Sequence, residues 1–251
     1  MCFLKKRKID WEKFISRFVF VSLLISFAFL IIRIILAPIE IDEALPHQRI
    51  KSDYALMLIQ CFLGIIAMML PDMLKKKIHL SIPSNMLILY SLFLYCAIFL
   101  GEVRNFYYTI PHWDTILHTF SGGMLGAIGY SFVTILNKSD EIPLNLNPLF
   151  VALFSFCFAL TLGVFWEIYE FTFDGLFGLN MQKFMLEDGT NLIGRAALQD
   201  TMKDLIVDGL GAFVMSLMGY ISLKYKTGWI ESLQLKIGHS HILNENNETN
   251  E

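Results

Sequence analysis

The residues best suited to chemistry form three groups, and each group has helical spacing. They are Asp114 with His118, Glu167 with Glu170 and Asp174, and Asp200 with Asp204 and Asp208. Side chains three, four, seven or eight residues apart lie on one face of an α-helix. The three groups can therefore direct their carboxylates, and the imidazole of His118, into a common cleft.

Such a cleft suits cation binding or acid-base chemistry. Carboxylates gathered in a low-dielectric setting repel one another unless bases, protons or a metal ion compensate, and the nearby bases are only Lys203, Arg104 and Arg195. Oxygen ligands suit Mg, Ca or Mn, and one imidazole extends the choice to Zn or Fe. We predict a divalent cation site, with protonation of some carboxylates as the alternative. Its predicted ligands are Asp114, His118, Glu167, Asp204 and Asp208.

The same cleft could act as acid and base on a bound molecule. The residues predicted to do so are Asp114, His118, Glu167, Glu170, Asp204 and Asp208. Among these side chains, the imidazole of His118 ordinarily titrates closest to neutral pH. His118 is therefore the predicted proton carrier.

Six long apolar runs must position these groups. Of the 251 residues, 55% are hydrophobic and the mean hydropathy is +0.54, which is high for a soluble domain. A helix needs about 20 mostly apolar residues to cross a bilayer core of about 30 Å. The runs are 18–36, 54–70, 82–101, 115–136, 148–166 and 204–223. The sequence predicts an all-α, polytopic membrane helical bundle of about six transmembrane helices.

The distribution of Lys and Arg predicts the orientation of the bundle. Basic residues cluster at 5–17 and 75–77, follow the fourth run at 138, and follow the sixth at 224–226. Cytoplasmic loops carry the excess of basic residues in membrane proteins. Both termini are therefore predicted to be cytoplasmic, and the segments 37–53, 103–113 and 167–203 extracytoplasmic.

The acidic groups are predicted to reach the extracytoplasmic ends of four helices. Glu102 ends the third span, Asp114 opens the fourth, Glu167 closes the fifth and Asp204 opens the sixth. Counted from the inner boundary, Asp208 lies about 6 Å inside the hydrocarbon, where a charged side chain costs about 2.5 to 3.5 kcal/mol. We expect Asp208 to face a partner or a cavity rather than lipid.

The chain is predicted to form one transmembrane domain over 1–240, followed by a short polar tail over 241–251. Small residues recur beside the charges, among them Gly122, Gly126, Gly209 and Gly211, which predicts close packing of helices within the chain. Ser121 is expected to be a packing residue, because F-S-G-G lacks the leading glycine of a GxSG nucleophile motif. The basic run at 5–8 is interpreted as an orientation signal, so no nucleic-acid partner is predicted.

Three motifs carry a family resemblance. They are W-D-T-I-L-H at 113–118, W-E-I-Y-E at 166–170 and D-T-M-K-D-L-I-V-D-G-L-G at 200–211. With these motifs the chain, from its second helix onward, resembles the YjdF-like bacterial integral membrane proteins. The resemblance implies a membrane bundle and brings no established activity with it.

A looser similarity is to VanZ-like proteins, which carry Asp and His four residues apart at a helix start, then Glu, then an Asp-x-x-x-Asn-x-x-Gly helix. The matching residues are Asp114, His118, Glu167, Asp204 and Gly211. Glu170 stands where those proteins usually carry Gln, and Asp208 replaces their Asn, so this site is more acidic. The likeness implies a cell-envelope setting rather than a reaction.

These patterns predict a multi-pass protein of the cell membrane. Its extracytoplasmic site is expected to bind or process an envelope lipid with the help of a cation. One alternative is a proton- or cation-coupled transporter, although the inner halves of the last three spans offer few polar residues. The other is a non-catalytic envelope scaffold whose polar cluster only locks the helices together.

Overall fold

Helices make up most of the described part of the chain. The computed structural model describes residues 10–39, 49–137, 146–186 and 188–237, so the basic run at 5–8 and the predicted tail at 241–251 lie outside it. The α-helices are α1 (Trp11–Leu36), α2 (Lys51–Ile78), α3 (Ser84–Leu94), α4 (Phe106–Thr109), α5 (Trp113–Asn137), α6 (Pro148–Phe177) and α7 (Arg195–Tyr225). A π-helix, Tyr95–Val103, continues α3, and a 3-10 helix, Glu231–Leu233, follows α7.

Six helical segments are long and apolar enough to cross a membrane. They are α1, α2, α3 with its π-helical continuation, α5, α6 and α7. This confirms the predicted all-α membrane bundle, while the predicted cytoplasmic position of the termini stays a prediction. Several helices extend beyond the apolar runs: α6 continues to Phe177 and α7 begins at Arg195. The acidic residues at these ends are therefore helical, as their spacing required.

Local signals explain where the helices begin and end. The Asp10 side chain accepts a hydrogen bond from the Lys13 amide at the start of α1. Asn147 does the same for the Phe150 amide at the start of α6, where proline occupies the first turn. The last turn of α6 ends at Gly178, whose φ of +62° is the left-handed conformation typical of a helix terminus.

The helices α5, α6 and α7 pack together as one group, and α1 packs against α2 and α3 as another. Glycines bring α5 and α7 into backbone contact: a Cβ on Gly122 would overlap the Asp208 carbonyl, and one on Gly211 would overlap the Thr119 carbonyl. The predicted close packing within the chain is confirmed. This close approach places Asp208, which lies well inside α7, directly against α5.

The two ends of the bundle differ in character. We call the acidic end the one at which α5 and α7 begin and α6 ends. At the opposite end, strand β1 (Leu80–Ser81) pairs antiparallel with strand β2 (Lys236–Ile237). This short pairing joins the segment after α7 to the connection between α2 and α3, so the two helix groups are linked far from the acidic residues.

Candidate functional site

His118 stands at the centre of the site, on the second turn of α5. Its Nδ1 lies 3.2 Å from Asp208 Oδ2, while its Nε2 lies 3.7 Å from Asp114 Oδ1 and 3.9 Å from Asp204 Oδ2. A carboxylate at Nδ1 favours the neutral tautomer that carries its hydrogen there. In a neutral ring this tautomer would leave the Nε2 lone pair on the side of Asp114 and Asp204, where a metal ion could bind it.

Three of the predicted ligands come within reach of a single ion. Asp114, His118 and Asp204 each offer one ligand atom, and these atoms lie within 4.8 Å of one another. Asp204 is 1% exposed, and its Oδ1 has no hydrogen-bond partner among the described residues. A buried carboxylate oxygen without a partner is costly, and a bound cation would satisfy it. We refer to these three residues as the cation cluster.

The two glutamates predicted on α6 have different surroundings. Glu167 is 5% exposed, and neither of its carboxylate oxygens has a hydrogen-bond partner in the described part of the chain, although Thr201 is near. Glu170 is also buried, but it accepts a hydrogen bond of 2.9 Å from Trp166 Nε1, one turn earlier. Glu167 is therefore available to a ligand, whereas Glu170 is partly engaged within its own helix.

Asp208 is held from three sides. Besides His118, its Oδ1 lies 2.9 Å from the Ser121 hydroxyl, which is also 2.8 Å from the His118 carbonyl. A Cβ on Gly163 of α6 would come within 2.9 Å of Asp208 Oδ2. Ser121, expected from sequence only to pack, is thus a hydrogen-bonding neighbour. Asp208 contacts the imidazole at Nδ1, on the side away from Asp114 and Asp204, and is therefore placed to orient the ring rather than to join the cation cluster.

Asp174 fixes the segment that follows α6. Its carboxylate accepts hydrogen bonds from the backbone amides of Met181, at 2.8 Å, and Gln182, at 2.9 Å. The Gln182 side chain in turn donates to the Thr201 hydroxyl of α7, also at 2.8 Å. Asp174 therefore has a structural role, and it positions the next residue, Lys183.

Lys183 is a site residue that the sequence analysis did not identify. Its Nζ lies 2.5 Å from Asp114 Oδ2, 3.5 Å from Asp200 Oδ2 and 4.6 Å from the centre of the Tyr107 ring. Burial lowers the pKa of Lys183, but the Asp114 and Asp200 carboxylates raise it by more, so the net pKa lies well above its ordinary value. The ammonium therefore stays charged within the site.

The three basic residues that the sequence placed near the site do not pair with its carboxylates. Among the described residues, Lys183 is the one lysine or arginine that forms an ion pair with these carboxylates; Lys203, Arg104 and Arg195 form none. Lys183 lies in an irregular segment, so no periodicity marks it. Its position inside the predicted outer segment 167–203 was the only available signal.

The fold and the site together define a polytopic membrane protein with a carboxylate and imidazole cluster between three helices. A family model described as "Predicted membrane protein (DUF2238)" matches residues 17–225, and the chain belongs to this family. This is the YjdF-like family, so the first resemblance is confirmed. The likeness to VanZ-like proteins stays a similarity of motif spacing.

One curated protein is similar to much of the chain. The chain is 34% identical over 163 residues to an "Uncharacterized protein" of Thermotoga maritima, and the alignment covers 63% of this chain and 72% of the relative. No solved structure matches the chain. The function must therefore be argued from the site itself.

Proposed function

We propose that this membrane protein binds a divalent cation through the cation cluster and uses it to bind or process an envelope lipid at the extracytoplasmic face of the cell membrane. The observation that carries the proposal is the convergence of Asp114, His118 and Asp204 within 4.8 Å, beside the unpartnered Asp204 Oδ1. The donor set, the contact of Asp208 with His118 and an apolar groove support it further.

The donor set fits a transition-metal ion such as Mn²⁺ better than Ca²⁺. Two carboxylates and one neutral imidazole provide a charge of −2 with mixed oxygen and nitrogen donors. Asp208 at the second imidazole nitrogen is the outer partner that histidine ligands of metals ordinarily have. Three protein ligands leave coordination positions for a bound molecule. Glu167 would serve as a further ligand or as a base.

An apolar groove on another face of α5 supports a lipid as the molecule bound. The groove has a volume of about 570 Å³, and its α5 wall starts at Thr115, at the level of Asp114 and His118, although none of the cation-cluster residues lines it. Its walls come from α3, α5 and α7, and they include Met86, Leu89, Thr115, Thr119, Leu210 and Val214. An acyl chain suits such walls. A lipid lying there would bring its headgroup toward the acidic end.

The hydroxyl groups of the opposite half give little support to a transport path. Ser131, Thr134 and Ser155 each donate to the carbonyl four residues earlier, at 2.8, 2.7 and 2.7 Å. These three hydroxyls are engaged within their own helices. A fourth hydroxyl of this half, that of Ser216, is buried and has no hydrogen-bond partner among the described residues, so the four do not form a hydrogen-bonded chain leading away from the cation cluster. Lipid binding or processing is therefore the function that we favour over coupled transport.

Metal analysis of the full chain in detergent tests the proposal. We expect about one Mn²⁺ per wild-type chain, and an affinity lower by more than about tenfold in Asp204→Asn and His118→Ala, since loss even of an outer partner costs 10- to 100-fold. Matched controls are Asp72→Asn on α2 and His112→Asn before α5, both at exposed positions. Lipids retained by the metal-bound protein would be identified by mass spectrometry.

Two results would contradict the proposal. One is the absence of stoichiometric metal at saturating Mn²⁺; the other is unchanged Mn²⁺ affinity in correctly folded Asp204→Asn and His118→Ala. The scaffold alternative predicts instead that combining Asp208→Asn with His118→Ala lowers folding yield without any metal being involved.

A further inference from the structure

We propose that a cavity outside the cation cluster is a subsite for a phosphate group, held by Lys183 and Arg49. The inference rests on the proposed function, because the phosphate would lie next to the bound cation. It adds a substrate class, namely molecules that carry a phosphate group, whether a lipid headgroup or a soluble phosphate.

The cavity lies at the acidic end, between the start of α2, the end of the π-helix, and residues 178–186 with Gly189. Its volume is about 110 Å³, and its polar lining includes Arg49, Ser52, Asn180 and Lys183. Pockets for whole small molecules usually measure about 300 to 1,000 Å³. This cavity has room for one compact group rather than for a nucleotide or a sugar chain.

Lys183 connects this cavity with the cation cluster. Its ammonium contacts Asp114 Oδ2, and the same side chain forms part of the cavity wall. A group in the cavity would therefore be one side chain away from the proposed ion. A divalent cation at Asp114 would neutralise one of the two carboxylates that Lys183 faces and leave Asp200, at 3.5 Å, as the other. More of the lysine charge would then be available to attract an anion.

The acidic residues of the cavity are engaged inside the protein. Asp53 Oδ2 accepts a hydrogen bond of 2.8 Å from the Ile50 amide, and Glu102 Oε1 lies 3.4 Å from Gln60 Nε2. Arg49 donates from Nη1 to the Val103 carbonyl at 3.2 Å. Nη1 also lies 3.7 Å from Met57 Sδ, whereas Nε and Nη2, which carry three of the five donors of an arginine, have no hydrogen bond to the described residues. The cavity thus offers cationic donors to an incoming group.

The segment carrying Lys183 is built to hold this position. Lys183 has a left-handed φ of +50°, a conformation that is unfavourable for a non-glycine residue. The Asp174 hydrogen bonds to the two preceding amides and the Gln182 contact with Thr201 fix the backbone there. A charged lysine, an arginine fork and a divalent cation are the groups by which proteins bind phosphate.

The test uses the full chain, purified in detergent and saturated with Mn²⁺. Inorganic phosphate is titrated calorimetrically, and a second arm measures binding to vesicles that contain phosphatidic acid or, as the control, diacylglycerol. We expect the Kd for phosphate to rise about tenfold or more in Lys183→Gln and in Arg49→Gln. It should change little in Arg195→Gln, which removes an exposed base at the start of α7. The Mn²⁺ stoichiometry is measured for all three variants, so that phosphate is titrated into metal-loaded protein.

The arms separate the possible sources of phosphate. Binding of inorganic phosphate supports a soluble ligand, and binding of phosphatidic acid alone supports a lipid headgroup; either supports the subsite. Wild-type protein that binds Mn²⁺ but neither form of phosphate would overturn this inference alone, as would phosphate binding that is unchanged in both Lys183→Gln and Arg49→Gln. Wild-type protein that binds no Mn²⁺ would overturn the proposed function as well.

Discussion

At the scale of single residues, the acidic side chains differ in what they do although they share one chemistry. Asp208 meets the Nδ1 side of His118, while Asp204 and Asp114 lie on the Nε2 side. Asp174 holds two backbone amides and takes no part in this arrangement. The imidazole therefore lies between two carboxylates that could bind an ion, Asp114 and Asp204, and a third, Asp208, that could hold His118 in position to bind the same ion.

The substitution Asp208→Asn tests that separation. Asparagine keeps the size and one acceptor for His118 Nδ1 but loses the charge that favours a hydrogen on Nδ1 and leaves Nε2 for a metal ion. We expect Mn²⁺ affinity to fall about 10- to 100-fold while one ion per chain still binds at high concentration, as measured by calorimetry. Ser121→Ala, which removes only the 2.9 Å contact to Asp208, should have a smaller effect. An Asp208→Asn protein with wild-type affinity would show that Asp208 does not orient the ligand.

At the scale of the elements, the positions of small residues set how the helices meet. Gly122 and Gly211 allow backbone contact between α5 and α7, and Gly163 lets α6 approach Asp208. These contacts decide which turn of one helix faces which turn of the next. The cation cluster therefore depends on residues that carry no functional group.

Paired glycine substitutions on α6 test this dependence. A Cβ at Gly163 would lie 2.9 Å from Asp208 Oδ2, whereas one at Gly175 would meet nothing within 4 Å. We expect Gly163→Ala to displace Asp208 from His118 and to weaken Mn²⁺ binding about tenfold or more. Gly175→Ala should leave the affinity unchanged and stabilise the helix by about 0.5 to 1 kcal/mol.

The measurements are Mn²⁺ titration and thermal unfolding of both variants in the same detergent. Equal Mn²⁺ affinity in the two variants would mean that the α6 approach to Asp208 does not control the site.

At the scale of the whole molecule, the helices alternate in direction, and the acidic cluster lies at the end opposite the lysine cluster that closes α2. The acidic end carries the cation cluster and the proposed phosphate subsite, while Lys75, Lys76 and Lys77 end α2 at the opposite end. The excess of basic residues predicts that this opposite end faces the cytoplasm. The side of the membrane on which the site opens follows from that orientation.

Cysteine labelling tests the orientation. In a background without the four native cysteines, Ile193→Cys, at a position 88% exposed near the acidic end, should react with a membrane-impermeant maleimide on intact cells. Thr227→Cys, exposed beyond α7, should react only after permeabilisation. The reverse pattern would place the site in the cytoplasm and exclude action on an extracytoplasmic lipid.

The properties that the sequence determined by itself are local along the chain. The lengths of the apolar runs predicted six spans, because the bilayer thickness fixes how many residues a helix needs. The spacing of Asp114 with His118, and of Asp204 with Asp208, predicted that each pair shares a helix face, because the helical repeat does not depend on the rest of the fold.

Only the tertiary structure decided how those faces meet. The rotation of α7 against α5 put Asp208 on one imidazole nitrogen and Asp204 on the other. The path of an irregular segment brought Lys183 to Asp114, a contact between residues 69 positions apart. Such contacts depend on close packing between distant parts of the chain, and no spacing within a single helix encodes them.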